Sequence, residues 1–273
     1  MPSVIGLGPG RLNAALGTKV EHNDYTGFEI QPSGRLSLKL GSAGMLWTAV
    51  SRALRTPSRL DRELFTPGQP PYTLAGGPDF ESEKLMAYEL GYRVRQGRLG
   101  LALSTFYNRY LELRSVEQAN PPNPLPVVIG NGTDGQSYGA ELTADYQLTD
   151  GWRVRAGYTE MRVDLWRRPG STSATVNTGE SQSPDRQLLF ASSADLPARL
   201  RLDGNFRYVS ELPDQQVPGY AELDAQLSWH ATERLGLSVA GQNLLHRRHV
   251  EFGTPTNRRT VERGLHGSVE WHF

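Results

Sequence analysis

Apolar and polar side chains alternate through long stretches of this sequence. In residues 200–208 the even positions are apolar or glycine and the odd positions are charged or polar, whereas in residues 221–229 the odd positions are apolar. Side chains of a β-strand point alternately to opposite faces of the sheet, so a period of two indicates strands with one apolar and one polar face. The chain is therefore predicted to be all-β.

Twelve strands are predicted from this period, and no segment shows a convincing helical period. They cover residues 12–22, 28–40, 43–53, 82–95, 97–112, 136–148, 151–164, 185–196, 198–210, 217–230, 233–246 and 262–273. A tilted strand crosses a bilayer with roughly 9–11 residues, which is close to these lengths. Residues 1–11 are expected to be a flexible lead-in, and residues 1–273 a single domain.

The connections between the predicted strands alternate in length. The short ones lie at 41–42, 96–97, 149–150, 197 and 231–232, and the long ones at 54–81, 113–135, 165–184, 211–216 and 247–261. Only 23–27 is short where the alternation requires a long connection. Transmembrane barrels have short periplasmic turns and longer extracellular loops, whereas a β-sandwich has no reason to gather its short turns at one end. The pattern favours an antiparallel up-and-down transmembrane β-barrel.

Composition removes several other classes of protein. The chain has no cysteine, so it has no disulfide scaffold, thiolate nucleophile or cysteine-ligated metal. Its 29 basic residues balance 29 acidic ones, which argues against a nucleic-acid partner. A mean hydropathy of −0.49 and the lack of a long apolar run exclude helical membrane spans only. The first residues lack the pattern of a signal peptide.

The polar faces of the strands are predicted to line the barrel lumen. The lumen-facing candidates are Arg153, Arg155, Arg201, Arg207, Glu222 and Asp224. The connection 211–216 predicts a register that places Arg207 opposite Glu222 and Asn205 opposite Asp224. We interpret these charges as a structural ladder in preference to ligand contacts, since cross-strand pairs contribute roughly 0.2–1 kcal/mol each.

The last strand carries apolar residues or glycine at every second position and ends on an aromatic residue. The positions concerned are Leu265, Gly267, Val269, Trp271 and Phe273. This pattern resembles the C-terminal signature of bacterial outer-membrane barrels, which the barrel-assembly machinery recognises.

Four segments carry a more specific resemblance. They are Ser51 to Arg59 (SRALRTPSR), Gly139 to Leu142 (GAEL), Gly241 to Leu245 (GQNLL) and Val269 to Phe273 (VEWHF). Together, and in this order, they resemble the C-terminal half of a TonB-dependent outer-membrane receptor. Such a barrel has about 22 strands, so the resemblance implies part of a barrel, although a smaller closed barrel is the alternative.

The resemblance implies a non-enzymatic function in the bacterial outer membrane. Receptors of this family import a scarce nutrient, usually a ferric siderophore or cobalamin, and TonB supplies energy through a plug domain. The sequence shows neither a plug nor a TonB box, so TonB would act only through the missing plug. The chain is therefore expected to be a fragment or truncated product that does not transport alone.

Candidate ligand contacts come from the basic residues of the long connections. These are Arg55, Arg59, Arg62, Arg247 and Arg248. A basic outer rim suits an anionic ferric siderophore, or it bridges phosphates of lipopolysaccharide, and we slightly favour the second role. We predict no catalytic residue, cofactor or metal site, and interpret His246 and His249 as solvated loop residues.

Three rival interpretations stay open at the level of sequence. The chain is alternatively a self-contained small outer-membrane pore, an outer-membrane enzyme, or a soluble β-rich binding module such as a lectin. An enzyme requires a nucleophile and base in a recognisable arrangement, and none stands out.

Overall fold

The computed structural model describes residues 3–7, 11–173 and 183–273, with the backbone alone over residues 3–7. The parts of the predicted lead-in and of the connection 165–184 that fall at residues 1–2, 8–10 and 174–182 lie outside this description. The strands are β1 Ser3–Leu7, β2 Leu12–Asn23, β3 Gly27–Leu40, β4 Gly44–Arg55, β5 Phe65–Thr66, β6 Leu74–Ala75, β7 Glu83–Gln96, β8 Leu99–Asn120, β9 Asn123–Thr149, β10 Trp152–Arg167, β11 Arg186–Leu196, β12 Leu200–Val209, β13 Tyr220–His230, β14 Leu235–Gln242, β15 Arg248–Val250, β16 Thr260–Glu262 and β17 Gly264–Trp271. A short helix, α1, covers Arg59–Glu63.

The main sheet is an up-and-down meander. Its strands follow chain order from β1 to β14 and then β17, while β5 and β6 lie off this path and β15 pairs only with β16. All twelve predicted strands are present, and the all-β prediction is confirmed. In the described residues β1 and β17 stand at opposite ends of the strand order and do not pair. The sheet is therefore open, and the alternative of a smaller closed barrel is wrong.

Three predictions about connections need correction. Most of 113–135 is not a loop, because β8 and β9 continue as a long hairpin whose turn lies at 121–122. Residues 3–7 of the expected lead-in form β1, which pairs with β2 through Leu7 opposite Leu12. Within 54–81 the chain forms α1, which is too short to show a helical period in sequence.

The chain divides into two compact units. The first comprises Met1–Gly91, Thr105–Gly139 and Arg162–Glu180, and the second comprises Tyr92–Ser104, Ala140–Met161 and Ser181–Phe273. Each unit buries very few large apolar side chains among its described residues: Phe80 and Ile129 in the first, Leu212 and Val217 in the second. No helix in the described part of the chain has the length and apolar character needed to span a membrane.

The buried pair of the first unit anchors the long connection between β4 and β7. The Ile129 amide donates to the Gly76 carbonyl at 2.8 Å, and the Gly77 amide donates to the Arg62 carbonyl at 3.2 Å. Phe80 is fully buried beside this contact. The connection is thus fastened to the extended part of β9.

Substituting Gly77 with alanine is expected to loosen this connection. A Cβ at Gly77 would lie 2.6 Å from the Asp61 carbonyl oxygen and 2.7 Å from that of Ile129, so backbone must move. We expect a local destabilisation of about 1–3 kcal/mol, the usual range for overpacking. Hydrogen exchange of the amides around α1 measures it. Gly68→Ala is the matched control, since its Cβ would meet nothing within 4 Å, and equal exchange in both variants would contradict the expectation.

The second unit shows the two-faced strands directly. The register places Asn205 opposite Asp224 and Arg207 opposite Glu222, as predicted. The other face exposes large apolar side chains, including Leu202, Leu227 and Trp229 at 44–45%. An apolar face left open over several strands is what a lipid-facing sheet requires.

Candidate functional site

In the first unit, a network of charges holds the long connection that follows β4. Arg55, at the end of β4, donates to Glu83 at 2.5 Å and to Asp61 at 3.1 Å. Arg114 lies 3.1 Å from the other oxygen of Asp61. The Arg55 guanidinium also stacks 5.4 Å from the ring of Phe80. Arg55, predicted as a ligand contact, therefore pairs mainly with other side chains of this chain.

Asp61 is the centre of this network, and it also forms a capping box with Ser58, the N-cap residue of α1. The Ser58 amide and hydroxyl donate to the Asp61 carboxylate at 3.0 and 2.8 Å, while the Asp61 amide donates to the Ser58 hydroxyl at 3.3 Å. Burial opposes ionisation of the carboxyl, but the hydrogen bonds from Ser58 and the nearby Arg55 outweigh it and lower the pKa of Asp61. Asp61 thus stays charged and holds the helix in place.

Helix α1 contains two further arginines that were predicted as ligand contacts, Arg59 and Arg62, and their surroundings differ. Arg62 donates to the carbonyl of Pro78 and, at 3.4 Å, to that of Tyr25, which makes it part of the loop framework. Arg59 contacts Glu63 at 3.0 Å and has a side chain 84% exposed. Glu63 in turn accepts from the Tyr25 hydroxyl at 2.6 Å. Of the predicted contacts in this unit, Arg59 is the one most accessible to a ligand.

A cavity of about 620 Å³ opens beside the extended hairpin of the first unit. Its wall includes Asp79, Glu81, Glu112, Asn131 and Arg168. Arg168 lies 3.9 Å from Glu112 and donates to the Asn131 carbonyl at 3.1 Å. The volume falls within the range of small-molecule sites, roughly 300–1,000 Å³. The sequence does not predict this cavity, because the cavity depends on the hairpin of β8 and β9 at residues where the strand pattern predicts a connection.

In the second unit, a fully buried carboxylate organises the connection after β14. Glu222, on β13, has no exposed side-chain surface and accepts from the Leu245 amide at 3.2 Å. Nδ1 of His246 donates to it at 2.8 Å. Nδ1 of His249 lies 3.1 Å from the same oxygen, out of line for a hydrogen bond. His246 and His249 are therefore loop anchors, and the interpretation of both as solvated residues is wrong for His249, which is 9% exposed.

Arg207 extends this anchor across the polar face. It donates to Glu251 at 2.8 Å and to the Asn243 side chain at 2.9 Å, and lies 3.4 Å from Asp224. Glu251 also accepts from Nε2 of His249 at 2.8 Å. Partial burial opposes ionisation, but the His249 and Arg207 hydrogen bonds outweigh it and lower the pKa of Glu251. The connection after β14 is thus tied to β12 and β13.

The other predicted polar-face residues form short-range pairs along the sheet. Arg155 donates to Asp145 at 2.7 Å, Arg153 donates to Gln147 at 3.1 Å, and Arg201 donates to Ser193 at 2.8 Å. These contacts fit the predicted structural ladder. That this face lines a lumen stays a prediction.

Two predicted arginines follow β14. Arg248 pairs with Glu262 at 3.0 Å, and both side chains are about 60% exposed. Arg247 is exposed, and its backbone carbonyl accepts from the Arg263 amide at 3.1 Å. Arg247 is therefore the more accessible candidate in this unit. Among the described residues, no group of three or more acidic, histidine or cysteine side chains is placed to hold a metal ion.

The predicted C-terminal signature lies on one exposed face. Leu265, Val269 and Trp271 are 76%, 72% and 58% exposed, and Phe273 follows at the terminus. Their alternation continues the apolar face of β14, because Leu237 pairs with Val269. The assembly role of these residues stays a prediction.

Long two-faced strands in an up-and-down antiparallel order are typical of outer-membrane β-barrel proteins. Residues 5–244 match the family described as TonB dependent receptor-like, beta-barrel, and the chain belongs to that family. The predicted family and outer-membrane location are thereby confirmed. A curated relative, the pesticin receptor of Yersinia enterocolitica, is 28% identical over 190 residues, covering 64% of this chain and 26% of the relative.

Solved structures support the same fold. The pyoverdine outer membrane receptor FpvA of Pseudomonas aeruginosa has a TM-score of 0.73 at 19% identity over 97% of this chain and 40% of that one. The ferric yersiniabactin uptake receptor FyuA of Yersinia pestis has a TM-score of 0.73 at 18% identity over 97% and 44%. The chain thus spans about a quarter of the curated relative and about two fifths of these receptors.

Proposed function

We propose that this chain supplies part of the wall and outer connections of a receptor that captures a ferric siderophore for TonB-energised uptake. Family membership carries the proposal, and two similar structures are receptors for pyoverdine and ferric yersiniabactin. The proposal is narrower than the sequence prediction, which also included cobalamin.

The anchored connections support a role in ligand capture. A connection held by Asp61 in the first unit, and one held by Glu222 in the second, each present an accessible arginine: Arg59 and Arg247. A guanidinium on a fixed connection loses less entropy on binding an anion than one on a flexible loop. Arg55 and Arg62 each have more than one internal partner, so their role would be to hold the connection. Arg248 has only the exposed pair with Glu262 and stays a weaker candidate for ligand contact than Arg247.

Uptake of radioactive iron tests the proposal in a full-length receptor that contains this chain. Cells that lack their own receptors are given one of three labelled ligands. Ferric yersiniabactin and ferric pyoverdine carry radioactive iron, and cyanocobalamin carries radioactive cobalt. We expect TonB-dependent uptake of at least one ferric siderophore, and a several-fold loss of affinity in Arg59→Gln or Arg247→Gln.

Arg98→Gln is the matched control, since it removes an exposed arginine at a short turn, where it pairs with Asp150. The proposal is wrong if cyanocobalamin alone is taken up. It is wrong for the two arginines if neither variant weakens capture, or if Arg98→Gln weakens it equally.

A further inference from the structure

Two short turns of the second unit lie next to each other, at the end of its strands opposite the connection that Glu222 anchors. One turn, residues 197–199, joins β11 to β12, and the other, residues 231–234, joins β13 to β14. Leu200 pairs with Trp229, so the start of β12 is beside the end of β13. Barrels of this kind place their short turns on the periplasmic side.

A cleft of about 530 Å³ lies between these turns. Its lining is Arg199, Ala231, Thr232, Glu233 and Arg234. Within the described part of the chain, the side chains of Arg199, Glu233 and Arg234 form no ion pair. The cleft thus combines two guanidinium groups and one carboxylate whose charges are available to a ligand.

Both turns hold these side chains on a defined backbone. Ala198 and Arg199 adopt left-handed conformations, with φ of 62° and 61°, and the Trp229 indole donates to the Ala198 carbonyl at 3.1 Å. In the other turn, the Thr232 hydroxyl accepts from the Arg234 and Leu235 amides at 3.2 and 3.0 Å. Left-handed backbone at two successive non-glycine residues is unfavourable, so contacts such as the Trp229 bond must maintain it.

An exposed apolar surface begins directly beside the cleft. Leu196, Leu202, Leu227 and Trp229 are each 40–45% exposed on the face predicted to meet lipid. A ligand with a charged head in the cleft could therefore lay an apolar tail along this face. Amphipathic molecules of the membrane itself have this shape.

We propose that the cleft binds a phospholipid with a phosphoethanolamine headgroup. The two guanidinium groups match the phosphate, for which arginine provides charge-assisted hydrogen bonds. Glu233 matches the primary ammonium group, which donates hydrogen bonds that a quaternary ammonium cannot donate. The acyl chains lie on the row of leucines and Trp229. The proposal is independent of the ligand that the receptor imports.

Native mass spectrometry of the full chain folded in detergent tests this site. The protein is offered equal amounts of phosphatidylethanolamine, phosphatidylglycerol and phosphatidylcholine with identical acyl chains. We expect at least a five-fold preference for phosphatidylethanolamine. Arg199→Gln/Arg234→Gln should remove most of the retained lipid, whereas Glu233→Gln should keep phosphatidylglycerol binding and lose the preference. Arg259→Gln/Arg263→Gln, which removes two exposed arginines elsewhere in the unit, is the matched control.

Equal retention of the three lipids by the unaltered chain would overturn the proposal, and so would unchanged retention in the double cleft variant. If water-soluble phosphoethanolamine binds as tightly as the lipid, the apolar face takes no part and the lipid assignment is wrong. Should the double variant fail to fold, Arg234→Gln alone decides, because its backbone bonds to Thr232 and to the His272 amide are preserved.

Discussion

Replacing Glu222 with alanine is expected to detach the connection that follows β14. The change leaves the Leu245 amide without its acceptor and removes the carboxylate beside the imidazoles of His246 and His249. The half-exposed imidazole of His246 can turn to water, so the Leu245 amide is the donor that is left without a partner. A donor of that kind costs about 1–3 kcal/mol, and we expect a local loss of about that size. Amide exchange in residues 243–251 should then accelerate between about five-fold and about a hundred-fold, since about 1.4 kcal/mol corresponds to a factor of ten.

Glu262→Gln is the control for this experiment. It breaks an exposed pair with Arg248 in the same connection, and pairs of that kind contribute about 0–1 kcal/mol. Trypsin cleavage at the exposed arginines Arg247 and Arg259 provides a second measurement. If exchange and cleavage change equally in the two variants, Glu222 is not the anchor that its burial indicates.

Placing arginine at Ala225 is expected to destabilise the sheet in a membrane strongly. Ala225 lies midway along β13, on the face that exposes Leu227 and Trp229, and pairs with Gly204 and Gly241. A lipid-facing arginine near the bilayer midplane costs about 2–4 kcal/mol. Urea titration of a full-length receptor that contains this chain should show this loss. The receptor is folded into phosphatidylcholine vesicles, and the folded fraction is measured by its heat-modifiable gel mobility.

Gln226→Arg introduces the same side chain at the next position. Gln226 lies on the polar face, directly opposite Asp203, so the new charge would meet an acidic partner and water. We expect a change within about 0.5 kcal/mol, as for ordinary surface substitutions. Equal destabilisation by both variants would show that the two faces do not differ in their surroundings.

Strand positions and register were predictable because lipid and water impose a strict alternation on a spanning strand. The pairing of Arg207 with Glu222 follows from the two faces of β12 and β13 together with the length of the connection between them. A one-residue slip would move every apolar side chain of one strand to the polar face. The twelve predicted strands are present for the same reason.

The outer part of the molecule was less predictable because that constraint ends there. The hairpin from β8 to β9 continues through residues 113–135, which the strand pattern predicts to be a long connection. The anchor at Glu222 depends on where His246 and His249 return along the folded connection, which no local spacing specifies. The local signal for these two histidines is their adjacency to Arg247 and Arg248, and that signal predicts a solvated surface.

The scarcity of buried apolar residues has a consequence for how stability varies with temperature. Among the described residues only four apolar side chains are buried, Phe80 and Ile129 in one unit and Leu212 and Val217 in the other. The large positive heat capacity of unfolding in water-soluble domains arises from apolar surface that becomes hydrated. When strands of this chain separate within a bilayer, most of their apolar surface stays among acyl chains. The free energy of unfolding in lipid should therefore depend on temperature with little curvature, unlike the dome of a soluble domain of equal length.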